Sequence, residues 1–80
     1  MFINKNIVLQ FLGIMGCEVR GFKNEKTGVM GLAIYKNNGK IGEFQDDGVD
    51  IKVNGRMLHL KYTKCEYTTF VELLNKNKLG

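Results

Sequence analysis

Between residues 7 and 15 the apolar side chains recur at helical spacing. Ile7, Phe11 and Ile14 make one row, and Val8, Leu12 and Met15 share the adjacent face. Asn4 stands where a helix needs an N-cap, because its short side chain can accept from a free backbone N–H. Gly16 stands where a left-handed residue can end one. The apolar arc is far wider than an ordinary amphipathic stripe, with only Asn6, Gln10 and Gly13 opposing it. Such a helix is either wrapped by its own chain or covered in part by a second subunit. The second alternative makes Val8, Leu12 and Met15 a candidate dimer interface and the protein a homodimer.

From Cys17 the period changes to two, which predicts strands near 17–23, 28–36, 40–45, 48–54 and 56–63. Met30, Leu32 and Ile34 alternate with Gly31, Ala33 and Tyr35. Val49, Ile51 and Val53 alternate with Asp50, Lys52 and Asn54, and Leu58, Leu60 and Tyr62 with His59, Lys61 and Thr63. The first-named set of each strand should face the core. The other face then carries Tyr35, Lys52, His59 and Lys61. Proline is absent, so the turns fall to glycine, asparagine and aspartate: 24–28, Asn37-Asn38-Gly39, Asp46-Asp47-Gly48 and Asn54-Gly55. The last is a strong hairpin signal, because both residues tolerate positive φ. Thr69 with Glu72 reads as a capping box, followed by Phe70, Leu73 and Leu74 on a helix ending near Leu79.

The expected fold is α+β: an N-terminal helix, an antiparallel meander of four to five strands and a C-terminal helix, with both helices on one sheet face. Eighty residues make one small domain. The charged fraction of 25% and the hydrophobic fraction of 44% are those of a folded globular chain rather than a disordered one. Lys5 followed by a short apolar stretch and Gly16-Cys17 loosely imitates a lipoprotein leader. Gln10 interrupts the stretch, however, and a folded core helix is the better reading. No apolar run approaches the ~20 residues of a membrane span, so no membrane partner is expected. Two cysteines without a CxxC pair, beside a single histidine, build neither a disulfide framework nor a zinc site. They read as reduced thiols of a cytoplasmic protein, and no metal or cofactor is expected.

Charge changes the picture. The net charge is +4, which favours an anionic partner. Alternate turns of a meander fall at the same end of the sheet, so the turns at 37–39 and 54–55 should meet. Their shoulders are Lys36, Lys40, Lys52 and Arg56, with no acid adjacent in sequence. Together with Asn37, Asn38 and Asn54 they would offer cations and amide donors to a nucleic-acid backbone, with Tyr35 as a stacking surface. No helix carries a basic recognition face, so RNA or a single strand fits better than duplex read in the major groove. At the opposite end Lys23 and Lys26 are roughly cancelled by Glu25, Asp46 and Asp47.

Catalysis is not indicated. His59 is alone on the outer face, with Glu43 and Asp50 as cross-strand neighbours, and neither cysteine has a companion histidine. The expectation is a small, basic, non-catalytic RNA- or nucleic-acid-binding protein of regulatory character. Its Asn- and Lys-rich composition is of the kind found in small phage accessory proteins, which suggests an inhibitor of a host nuclease or defence factor. The alternative is a protein–protein inhibitor or antitoxin-like module. That module would grip an acidic host protein through a sheet edge or the outer face at Tyr35, Met57 and His59.

Overall fold

A computed structural model describes residues 1–80. Helix α1 (Lys5–Ile14) leads into five strands, β1 (Glu18–Lys23), β2 (Met30–Lys36), β3 (Gly39–Gln45), β4 (Gly48–Val53) and β5 (Arg56–Lys61), and helix α2 (Tyr67–Lys76) follows. The strands pair in chain order as one antiparallel sheet. The fold is therefore the α+β arrangement expected from the periodicity, and no helix is long and apolar enough to cross a membrane.

Local chemistry accounts for the ends of α1. Asn4 has extended backbone, and its side chain accepts from the Ile7 N–H at 2.9 Å. At the other end Gly16 takes φ of 82°. The Cys17 N–H reaches the Leu12 carbonyl at 2.9 Å and the Gly16 N–H reaches the Gly13 carbonyl at 3.1 Å. This is a Schellman close, which needs a residue free of a Cβ at the left-handed position. The second helix differs from expectation. It starts at Tyr67 behind Glu66, whose side chain makes no capping bond, so Thr69 lies inside the helix and its pairing with Glu72 caps nothing. Backbone pairing of residues 1–3 with 65–67 reaches that segment first: Tyr67 N–H to the Met1 carbonyl at 2.7 Å and Ile3 N–H to the Cys65 carbonyl at 3.0 Å.

The core lies between the two helices and one face of the sheet. Val8, Leu12, Ile34, Val49, Ile51, Phe70 and Leu74 are fully buried, and Phe11 meets Phe70 edge to face at 5.5 Å. Each such side chain contributes about 1.5–3 kcal/mol of burial. Val8 and Leu12 are thus already enclosed within the single chain, with Met15 packed against the same cluster. Of the residues expected at a dimer interface, Val8 and Leu12 are therefore packed by the chain's own sheet and α2, and Met15 is half-buried beside them. The residue of the apolar arc of α1 left in solvent is Ile14, 84% exposed.

One strand departs from its expected pattern. Ile34 is buried and Leu32 half-buried, but Met30 is 67% exposed. A ten-residue helix spans only about 15 Å, and the β1–β2 hairpin runs past the cover. On the outer face Ala33 is 2% exposed, flanked by Arg20 and Glu43 in the two neighbouring strands. Phe22 lies over Gly31, where a Cβ would stand 2.5 Å from the ring.

Candidate nucleic-acid interface

The two hairpin turns do share one end of the sheet. Asn37 and Asn38 take φ of 53° and 66°, with Lys36 opposite Gly39. Asn54 and Gly55 take 52° and 80°, with Val53 opposite Arg56. Both are two-residue turns with positive φ at each position, whose twist matches the strands they join. Gly39 therefore belongs to β3 rather than to the turn.

Between the two turns opens a cleft of about 660 Å³, lined by Lys36, Asn37, Lys40, Lys52, Asn54 and Lys78 among others. Its wedge is the segment after α2. The Asn54 N–H donates to the Lys78 carbonyl at 2.8 Å, the Gly80 N–H to the Lys52 carbonyl at 2.9 Å, and the Gly55 N–H to the Gly80 carbonyl at 2.9 Å. Leu79 bridges Val53 and is buried at 7% exposure. A register shift between Ile34 and Tyr35 accompanies the separation of the β2–β3 hairpin from β4. Lys78 is the residue that sequence reasoning missed at this site. It reads as the basic tail of a helix, and only the backbone pairing of 78–80 carries it to the corner.

The structure sorts the expected residues. Lys36 and Lys52 line the cleft and, like Arg56 and Lys78, have no carboxylate in ion-pair range. Asn37 and Asn38 are exposed, and no protein group bonds their side chains. Arg56 is exposed on the shoulder of its turn but does not line the cleft. Lys40 is ion-paired with Glu43, an acid three residues on, so the expectation of an acid-free corner fails at this position. Asn54 is a positioning residue: its Nδ2 donates to Asn77 Oδ1 at 2.7 Å, and its Oδ1 accepts from the Lys78 N–H at 3.0 Å. Tyr35 sits opposite Lys40 on the outer face, and the Arg20 guanidinium covers its ring at 4.5 Å. Arg20 is itself held by Glu18 through two bonds of 3.0 Å. One ring face is thereby already taken.

Behind the cleft the outer face turns acidic. Lys40 meets Glu43, and Gln45 donates to Asp50 at 3.0 Å. Asp50 meets His59 Nδ1 at 2.5 Å, and Asp47 lies 3.2 Å from His59 Nε2. The bond to Asp50 is the main cause of a His59 pKa above its ordinary value; partial burial opposes it, and Asp47 adds to the rise. Both ring nitrogens thus face carboxylates, Nδ1 that of Asp50 and Nε2 that of Asp47. Burial raises both thiols, Cys17 against the opposing charge of Lys36 and Cys65 with help from Glu66, so both resist forming the reactive thiolate. A polyanion approaching the corner would meet cations at the rim and carboxylates one row inward, so a favourable site is confined to the cleft and its lip. No protein-family model, no curated protein and no solved structure matches this chain.

Proposed function

We propose that this protein is a small, non-catalytic binder of RNA or another nucleic acid, holding the phosphate backbone in the cleft between its two Asn-rich turns. The observation that carries the reading is the meeting of Lys36, Lys52 and Lys78 around one opening, with none of them ion-paired. An unpaired lysine retains its full attraction for phosphate, and its counterion is released on binding. Asn37 and Asn38 add free amide donors at the lip. A single strand fits best: the opening is a cleft rather than a long basic groove, and neither helix offers a cationic face to a duplex.

The role proposed is regulatory and cytoplasmic, with the composition favouring a phage-type inhibitor of a host nuclease or defence factor. A second reading has its own support. Met57 is 59% exposed on the outer face, opposite Lys52 in the neighbouring strand, and could join an acidic partner protein to that lysine.

Fluorescence anisotropy with a labelled single-stranded RNA, measured from about 50 to about 200 mM salt, tests the first reading. Affinity should fall linearly on logarithmic axes with a slope set by the phosphates neutralised. Absence of binding to RNA and single-stranded DNA at the lower salt would reject it. Retention of a protein partner after nuclease treatment would then support the second.

A further inference from the structure

The chain contains two Asn-Gly dipeptides, Asn38-Gly39 and Asn54-Gly55, one at each turn that borders the cleft. In this dipeptide the asparagine side chain is open to attack by its own main chain. The next amide nitrogen can reach the side-chain carbonyl carbon, and glycine sets no side chain in the way. Flanking charge does not distinguish the two: Lys36 and Lys40 stand beside the first, Lys52 and Arg56 beside the second. Hydrogen bonding does. Asn54 Nδ2 donates to Asn77 Oδ1 at 2.7 Å, and its Oδ1 accepts from the Lys78 N–H at 3.0 Å. The Gly55 N–H, which carries the attacking nitrogen, donates to the Gly80 carbonyl at 2.9 Å. Asn38 is exposed with no protein partner for its side chain, and no bond outside its own hairpin holds the Gly39 N–H. Nor does the backbone require glycine at 39. Its φ is not left-handed, and a Cβ there would meet nothing nearer than the Lys36 carbonyl oxygen at 3.6 Å. Gly55 takes φ of 80°, which its turn demands.

We propose that Asn38 is a self-modification site at the lip of the cleft, converted spontaneously to a carboxylate while Asn54 is held intact. The Gly39 amide nitrogen gives up its proton and attacks Asn38 Cγ. The new C–N bond closes a succinimide ring, and the side-chain nitrogen takes up a proton and leaves as ammonia. Water then opens the ring. Opening at the side-chain carbonyl gives aspartate. Opening at the main-chain carbonyl gives isoaspartate, in which the main chain runs through the former side chain. The sum consumes one water and releases one ammonia, with no oxidant, reductant or other co-reactant.

Either product replaces a neutral amide donor with a negative charge. The new carboxylate stands next to Asn37, which lines the cleft, and two residues from Lys36, which has no carboxylate in ion-pair range. It would offset the cations of the lip as Glu43 already offsets Lys40. Isoaspartate also lengthens the main chain of a two-residue turn, whose positive φ at both positions sets its twist. The cleft therefore loses attraction for anions as the protein ages. That consequence rests on the nucleic-acid reading proposed above; the conversion itself does not.

The test is peptide mass mapping of the folded chain held at mildly alkaline pH and sampled over days. It reads, at each turn, the mass gain of an NH exchanged for an O. Asn38 should convert at least about tenfold faster than Asn54, whose three bonds must open first. In urea, where those bonds are gone, the two rates should converge. Gly39→Ala, which the backbone admits, should suppress conversion at 38 with the circular dichroism unchanged. Asn38→Asp should weaken single-stranded RNA by about two- to fivefold, the effect of one exposed charge. An absence of RNA binding would reject the nucleic-acid reading and leave the mass readout to decide the modification. No conversion at Asn38, equal rates at the two asparagines in the folded chain, or an unaltered rate in Gly39→Ala overturns the assignment.

Discussion

The two ends of the sheet are built from the same materials and differ in what surrounds their charges. At the far end the 24–28 loop and the Asp46-Asp47 turn carry Lys23, Lys26, Glu25, Asp46 and Asp47, both signs within one neighbourhood. The inner face nearby is a groove lined by Gly21, Met30, Leu32, Phe44 and Tyr62. At the near end Lys36, Lys52 and Lys78 stand around a polar cleft, and its one ion-paired cation is Lys40. Local basicity is not the difference, since both ends have lysines. The difference is topological: alternate turns collect at one end, and the segment after α2 adds a cation there with no acidic side chain beside it.

The largest effect should come from removing the wedge. Leu79→Ala takes away a buried side chain that holds 78–80 against Val53, and should cost about 2–5 kcal/mol of stability. Urea unfolding would measure this as a lower midpoint with little change in slope. The far end has no such peg.

Next, the ends should separate in binding. Lys36→Ala, Lys52→Ala and Lys78→Ala combined should weaken single-stranded RNA at least about tenfold, or about 1.4 kcal/mol. They should also flatten the salt slope by about 2, at about 0.7 for each phosphate no longer neutralised. Lys23→Ala with Lys26→Ala should leave affinity within about twofold, because Glu25, Asp46 and Asp47 already offset those charges. Equal losses in the two variants would mean that net charge, and not the cleft, holds the ligand.

A smaller gain should follow from unmasking the paired cation. Glu43→Gln releases Lys40 toward the cleft and should tighten RNA by about two- to fivefold, in keeping with an exposed pair worth under about 1 kcal/mol. Loss of affinity instead would show that the pair positions Lys40 to reach the phosphate.

The smallest effect is a pH dependence from the acidic row. His59 has its pKa raised in the folded state by Asp50 first and Asp47 next. Its contribution to stability is therefore fully present below about pH 6.5, its unfolded value, and is lost as pH rises through the folded value. His59→Gln should remove that slope in thermal unfolding. The effect is modest because the ring is well exposed to solvent.

Much of this architecture is legible in the sequence because its signals are local. Asn4 caps the helix beside it, Gly16 closes the same helix, and Asn54-Gly55 turns a hairpin two residues wide; each acts on backbone groups within a few positions. The capping box at Thr69 and Glu72 misleads because Glu66 and Tyr67 are drawn into pairing with Phe2 and Met1, more than sixty residues away. The alternation around Met30 misleads because it reports which face a residue lies on, not whether a helix reaches it.

The sequence alone determined the order of elements, the hairpin turns and the placing of four basic shoulders at one end of a meander, since period-two alternation and turn chemistry act over short spans. Only the tertiary structure decided which of those cations stay unpaired. It also brought Lys78 in, engaged Asn54 and Lys40 elsewhere, and enclosed Val8 and Leu12. Those outcomes depend on the meeting of segments distant in the chain, where packing and Coulomb interactions are set by position in space and no local pattern records them.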